Sequence, residues 1–217
     1  MQAYSQDTKL PTTSQIVIDI KQRFLTRDVT AIGGNGRIVI WVSDAWTAYP
    51  ILEKFGIIVH EYYHNLQDMV SNSAPKGPMW LVEGSAEYVE RKFLVDGDAA
   101  DYEQVRRDII ERIRGITSPL SGLETLAEAK AEDRNAAYTL GFVATDFLVK
   151  NYGEPQLFPQ YWQNRNWLAT WRETFANIFG VSADDFYVEF ETYRQKEFPP
   201  YCTKEDEATG DLGARFI

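Results

Sequence analysis

Histidine is almost absent from this chain of 217 residues, and cysteine is rarer still: two of the first, one of the second. A lone Cys202 excludes an internal disulfide and belongs to no metal-binding spacing. Cationic side chains are also few. The 22 Lys and Arg stand against 32 Asp and Glu, a net charge of −10 with a pI of about 4.8. That balance argues against non-specific nucleic-acid binding and against an anionic membrane surface. No apolar run approaches the roughly 20 residues of a membrane-spanning helix. The first residues, MQAYSQDTKLPTTS, lack the apolar stretch of a signal peptide. None of this assigns a compartment. Against these absences stands an apolar content of 44%, enough to bury a real core in one domain or a compact pair of subdomains.

Both histidines fall in one stretch, Ile57 to Leu66, reading IIVHEYYHNL. His60 and His64 are four apart, so on a helix they lie one above the other and direct both imidazoles at one point. Imidazole nitrogen suits Zn²⁺, and a catalytic zinc takes three protein ligands and leaves a fourth position to water. Glu61 follows the first histidine, near enough to contact that water without being a ligand, where a general base has to stand. It is the only formally charged side chain in the stretch, which suits a helix inside a domain, because unpaired buried charges are costly. The competing reading is a core helix with two hydrogen-bonded histidines.

A third ligand is expected from another helix. Gly77 and Pro78 punctuate the chain, and MWLVEGSAEYVERKF runs on from Met79 to Phe93 as a helix with acidic positions Glu83, Glu87 and Glu90. Glu83 and Glu87 share a face, and a carboxylate among neighbours such as Trp80, Leu81 and Val82 wants a cation. Glu83 is therefore the expected third zinc ligand. Glu87 is expected just outside it, orienting one histidine through its other ring nitrogen. For each, the alternative is a solvated acidic face.

HEYYH at 60 to 64, eighteen residues, then Glu83 within WLVEG resembles the gluzincin metallopeptidases, most of all the aminopeptidase N family and its smaller peptidase-MA-like relatives. The resemblance covers about residues 31 to 198. It implies an α+β, mainly helical fold, with a zincin (thermolysin-like) catalytic core, a small N-terminal β-sheet and a C-terminal helical bundle. It implies one Zn²⁺ per chain on His60, His64 and Glu83, with Glu61 as base. It also implies a tyrosine in a Y-x-x-G context that stabilises the tetrahedral intermediate, here Tyr138 in AAYTLGF, followed by Gly141. Chemistry supports that role, since a phenolic O–H aimed at the growing oxyanion binds the transition state better than the substrate. One stretch departs from the family. Aminopeptidases carry G-x-M-E-N before the zinc helix, with a glutamate that grips the free amino terminus; here AIGGNGRIVIWVSD, Ala31 to Asp44, lacks it, and Asn35 with Gly36 stands near its place. This tilts the reading toward an endopeptidase or an unusual exopeptidase. The same stretch is compatible with an edge strand that pairs with an extended peptide.

Along the chain, residues 1–14 read as a flexible N-terminus and 15–198 as the metallopeptidase domain, with a β-containing half over 15–96 and a helical half over 101–198. Residues 199–217 read as an acidic, flexible tail. Gln15 to Phe24 reads as a short strand or a helix, with alternation and β-branching favouring a strand at its start; Gly33 to Gly36 make a loop or hairpin turn, and Arg37 to Val42 is a strand. The zinc helix spans about residues 50–71, and Ser71 to Pro78 is a loop. Asp101 to Arg114 is an amphipathic helix with Val105, Ile109, Ile110 and Ile113 on one side. Thr117 to Gly122 is a loop, and acidic Leu123 to Asp133 is placed to wall a cleft. Helices are expected over Ala136 to Asn151, Trp167 to Phe179 and Ser182 to Phe198, the last with Ser182 as N-cap. Tyr161, Trp162, Trp167, Trp171 and Phe175 are expected in the core more than in a pocket. Arg23, Arg37 and Arg134 carry no assignable substrate role.

The functional expectation is a zinc peptidase acting on peptide or protein substrates, in which zinc activates a water and polarises the scissile carbonyl while Glu61 moves the proton. Its rivals are a zincin-fold binding or scaffold domain without turnover, and a zinc hydrolase acting on a non-peptide substrate.

Overall fold

The computed structural model describes residues 17–22, 31–42, 44–71, 77–125, 131–154, 160–163 and 170–199. The chain is mainly helical with one small sheet. Strands β1 (Val17–Gln22), β2 (Ala31–Gly34) and β3 (Arg37–Val42) lie in the order β1-β3-β2, with β1 parallel to β3 and β2 antiparallel to it. The β2–β3 turn is Asn35-Gly36, with φ of 51° and 71°. Two successive left-handed residues make the tight hairpin whose twist matches its strands, which is why Asn-Gly occurs there. The hairpin is tied down by the Asn35 backbone N–H, which donates to Asp68 Oδ2 at 2.8 Å. In β3, Ile38 and Ile40 alternate inward and with Ala31 form a small core, covered by Trp46, Ile57, Ile58 and Tyr62.

A short helix α1 (Asp44–Ala48) leads through Pro50 into α2 (Ile51–Val70), which carries both histidines. Next come α3 (Met79–Asp96), started by Pro78, and α4 (Tyr102–Arg114), whose N-cap Asp101 accepts from the Gln104 N–H at 2.8 Å. Helix α4 is peripheral, with Ile113 its one buried residue. Where a loop was expected over Thr117 to Gly122, Leu120–Leu123 forms a 3₁₀ turn instead. The two leucines that end it are buried, and this local hydrophobic anchoring is what tightens the backbone. Helix α5 (Ala131–Tyr152) starts five residues before the expected Ala136. Helix α6 (Trp171–Phe179) begins with a Thr170–Glu173 capping box and ends at Gly180, φ 71°. Helix α7 (Ala183–Glu197) is capped by Ser182, as its sequence predicts.

The main core lies among α3, α5, α6 and α7. Trp80 stacks on Phe186 (centroids 5.5 Å apart, 13° between planes), and Phe175, Phe179 and Phe190 extend the cluster. Each such side chain contributes about 1.5–3 kcal/mol on burial, so this cluster far outweighs the three-residue core beneath the sheet. One continuous core runs from Tyr63 to Phe198, across both expected halves of the domain. Tyr161, Trp162 and Phe175 are buried in it, and Trp171 packs against it. Of the segment expected to wall a cleft, most lies outside the described residues; Glu124, half-buried, accepts through Oε1 from Arg172 and from the Tyr187 hydroxyl, which itself accepts from Trp80 Nε1 at 3.0 Å. Among the described residues, no helix is long and apolar enough to cross a membrane. The expectations for residues 1–14, for the tail beyond Pro199 and for Trp167, Arg23 and the Arg134 side chain lie outside what is described.

Candidate metal centre

Helices α2 and α3 run side by side, and their facing side chains converge. His60 and His64, one turn apart on α2, meet edge to face with ring centroids 4.8 Å apart. Their Nε2 atoms are 3.1 Å apart, and Glu83 Oε2 from α3 lies 3.2 Å from the Nε2 of His64 and 3.4 Å from that of His60. A zinc ion with bonds of about 2.0–2.1 Å in tetrahedral geometry separates its ligands by about 3.3–3.4 Å. The triangle of two nitrogens and one oxygen therefore has the size and chemistry of three zinc ligands, with one corner left over.

The charges around it point the same way. Burial pushes the Glu83 carboxyl up, but hydrogen bonds and charge from both histidines outweigh that and hold it far below the usual carboxylate range. Burial likewise opposes protonation of His60, yet Glu83, Glu90 and Glu87 together raise it well above its ordinary value. His64 is raised too, chiefly through Glu83. Carboxylates crowd two imidazoles here, and their charge favours the protonated rings against burial.

Glu61 stands apart from the three converging atoms. Burial raises its carboxyl above the ordinary value, offset in part by the two histidines, and the Gly33 backbone N–H donates to it. That bond requires β2 to lie flush on α2. A Cβ on Gly33 would sit 2.1 Å from the Glu61 carbonyl oxygen, so only glycine permits the approach. Tyr138 reaches the site from α5, its ring centroid 5.8 Å from that of His60 and its hydroxyl bonded to Glu83. Burial first, then Glu83 and Glu61, keep that hydroxyl protonated far above the usual phenol range. A second glycine contact explains the reach. Gly84 on α3 meets Gly141 on α5, where a Cβ on Gly84 would lie 2.2 Å from the Gly141 carbonyl carbon. The E-G of α3 and the Y-x-x-G of α5 are thus two sides of one helix crossing.

Glu87 lies beyond His60, its Oε1 3.8 Å from Nδ1, and its other oxygen pairs with Arg91 at 3.2 Å. Glu90 is nearer, with Oε2 3.5 Å from Nδ1 and its carboxylate seated over Gly56. Both carboxylates stand on the Nδ1 side of His60, where Glu87 was expected, but neither closes a hydrogen bond on that buried nitrogen. The signal for Glu90 was its spacing, since 83, 87 and 90 fall on one helical face. Gln67 escaped the sequence reading altogether, although it stands three residues after His64; its Oε1 lies 2.7 Å from His64 Nδ1. Comparison of the chain with protein-family models, curated proteins and solved structures returned no match.

Proposed function

We propose that this chain is a zinc-dependent peptidase with a zincin-type (thermolysin-like) catalytic core. His60, His64 and Glu83 hold one Zn²⁺, and the observation that carries the reading is their 3.1–3.4 Å triangle of donor atoms. The ion, when bound, supplies Lewis-acid polarisation of the scissile carbonyl and lowers the pKa of a water. Glu61 takes the proton from that water and delivers it to the leaving amine; its raised pKa brings the carboxyl nearer neutrality, where proton shuttling is most effective. Tyr138, held protonated, donates a hydrogen bond to the oxygen on which negative charge grows. Among the described residues, strand β2 lies at the edge of the sheet and passes over Glu61, and an extended peptide pairs with that edge. No carboxylate stands at the position where aminopeptidases grip an amino terminus, which favours internal cleavage or an unusual exopeptidase.

The test is zinc content by elemental analysis together with casein and peptide-library cleavage, on the native chain and on Glu61→Gln. One zinc per chain in both, with cleavage lost in the variant and on chelation, supports the reading. Zinc without cleavage in either moves it to a binding domain or a non-peptide hydrolase, and absence of zinc in both overturns it.

A further inference from the structure

We infer that Gln67 is a positioning residue that sets the tautomer of His64 and so aims its Nε2 lone pair at the metal position; this rests on the zinc reading above. Gln67 and Ser85 are fully buried, so each of their polar atoms needs a partner inside the protein. Gln67 Nε2 lies 3.1 Å from the Val82 carbonyl oxygen, which can only accept, so the amide nitrogen must face that way. Its second hydrogen goes to Ser85 Oγ at 3.0 Å, whose own proton goes to the Leu81 carbonyl at 2.6 Å.

With both amide hydrogens committed, Gln67 Oε1 is left facing His64 Nδ1 at 2.7 Å. An amide oxygen carries no proton, so the hydrogen of that bond sits on Nδ1. A neutral imidazole has one N–H, so Nε2 is then a bare lone pair, 3.2 Å from Glu83 Oε2 and 3.1 Å from His60 Nε2. Lone pairs converging at that distance repel unless a cation lies among them. The network thus selects the metal-ready form of His64, and because Val82, Ser85 and Glu83 share α3, the same bonds fix α3 against α2. His60 has no such lock: among the described residues its buried Nδ1 makes no well-formed hydrogen bond.

The experiment uses the full chain, metal-free and labelled with ¹⁵N-histidine, at a pH where both rings are neutral. Two histidines give two ring spin systems. The native chain should show His64 with hydrogen on Nδ1. In Gln67→Met, which keeps the volume and removes the acceptor, that ring should move toward the Nε2–H form and zinc affinity should fall about 10- to 100-fold. Gln67→Glu keeps an acceptor oxygen and should keep the tautomer, recovering part of the affinity. A purely structural role would lower the melting temperature of both variants and leave the tautomer unchanged. An Nε2–H ring in the native chain overturns the inference, as does Gln67→Met with native tautomer and affinity. If Gln67→Met fails to fold, the native ring spectrum decides alone. If the native chain binds no zinc, the peptidase reading falls while that spectrum still reports on Gln67.

Discussion

Replacing Gly141 with alanine isolates the helix crossing that assembles the site. The added Cβ would lie 2.3 Å from the Trp80 carbonyl oxygen and 3.1 Å from Gly84 Cα. Neither neighbour is a side chain that can swing away, so α3 and α5 must part by about 1 Å to restore ordinary contact distances. Two effects compete. Alanine is favoured over glycine in a helix interior by about 0.8–1 kcal/mol, whereas overpacking a well-filled core costs about 1–3 kcal/mol and occasionally more. Here the contact is backbone on backbone, and it is flanked by Trp80, Leu81, Leu140 and Ala144, all fully buried, so the cost wins. A net loss of about 1–2 kcal/mol lowers Tm by about 2–8 °C in a chain of this size, readable by thermal unfolding of the metal-free protein. Tyr138 precedes Gly141 by one turn and bonds Glu83 across the same crossing, so kcat should fall as well. An unchanged or higher Tm, the outcome demanded by helix propensity alone, would refute the close approach.

Tyr138→Phe should lower kcat about 10²- to 10³-fold, the usual cost of one oxyanion donor, with zinc content unchanged; loss of zinc would assign the hydroxyl to holding Glu83 instead. Gly33→Ala forces β2 off α2 at Glu61, so peptide cleavage should drop while one zinc per chain remains, and native rates would contradict the flush packing. The metal-free rings of His60 and His64 hold a second proton above the ordinary value near 6.5, and zinc requires both neutral. Binding therefore releases protons, and affinity measured by calorimetry should climb as pH rises through the folded values of the two rings, above their ordinary one; a flat profile would count against this ligand set. The sign for stability is opposite. Groups whose folded pKa is raised contribute fully below about 6.5 and lose that contribution as pH rises through the folded value, so these two rings should pull the metal-free Tm down over that interval, and substituting both should flatten the decline.

Local chemistry determined what the sequence alone could show. His60 and His64 share a face because four residues make about one turn of any helix, and Glu61 points elsewhere for the same reason. Asn35-Gly36 takes the one tight turn that tolerates two left-handed residues, and Asp101 and Ser182 cap helices with their own side chains. Each of these relations spans four residues or fewer, within reach of backbone geometry that does not depend on the rest of the chain. Tertiary packing decided the remainder. Glu83, Glu87 and Glu90 share one helical face, and although the sequence favours Glu83, it is the rotation of α3 against α2 that aims Glu83 at the two Nε2 atoms and the other two at the far side of His60. Gln67 gains its role from Val82 and Ser85, fifteen and eighteen residues away. Glu124 meets Arg172 and Tyr187, forty-eight and sixty-three residues away. The glycines of α3 and α5 are silent until their backbones touch. The axial offset and rotational phase of packed helices come from the shape of the whole buried core, which no local run of residues encodes.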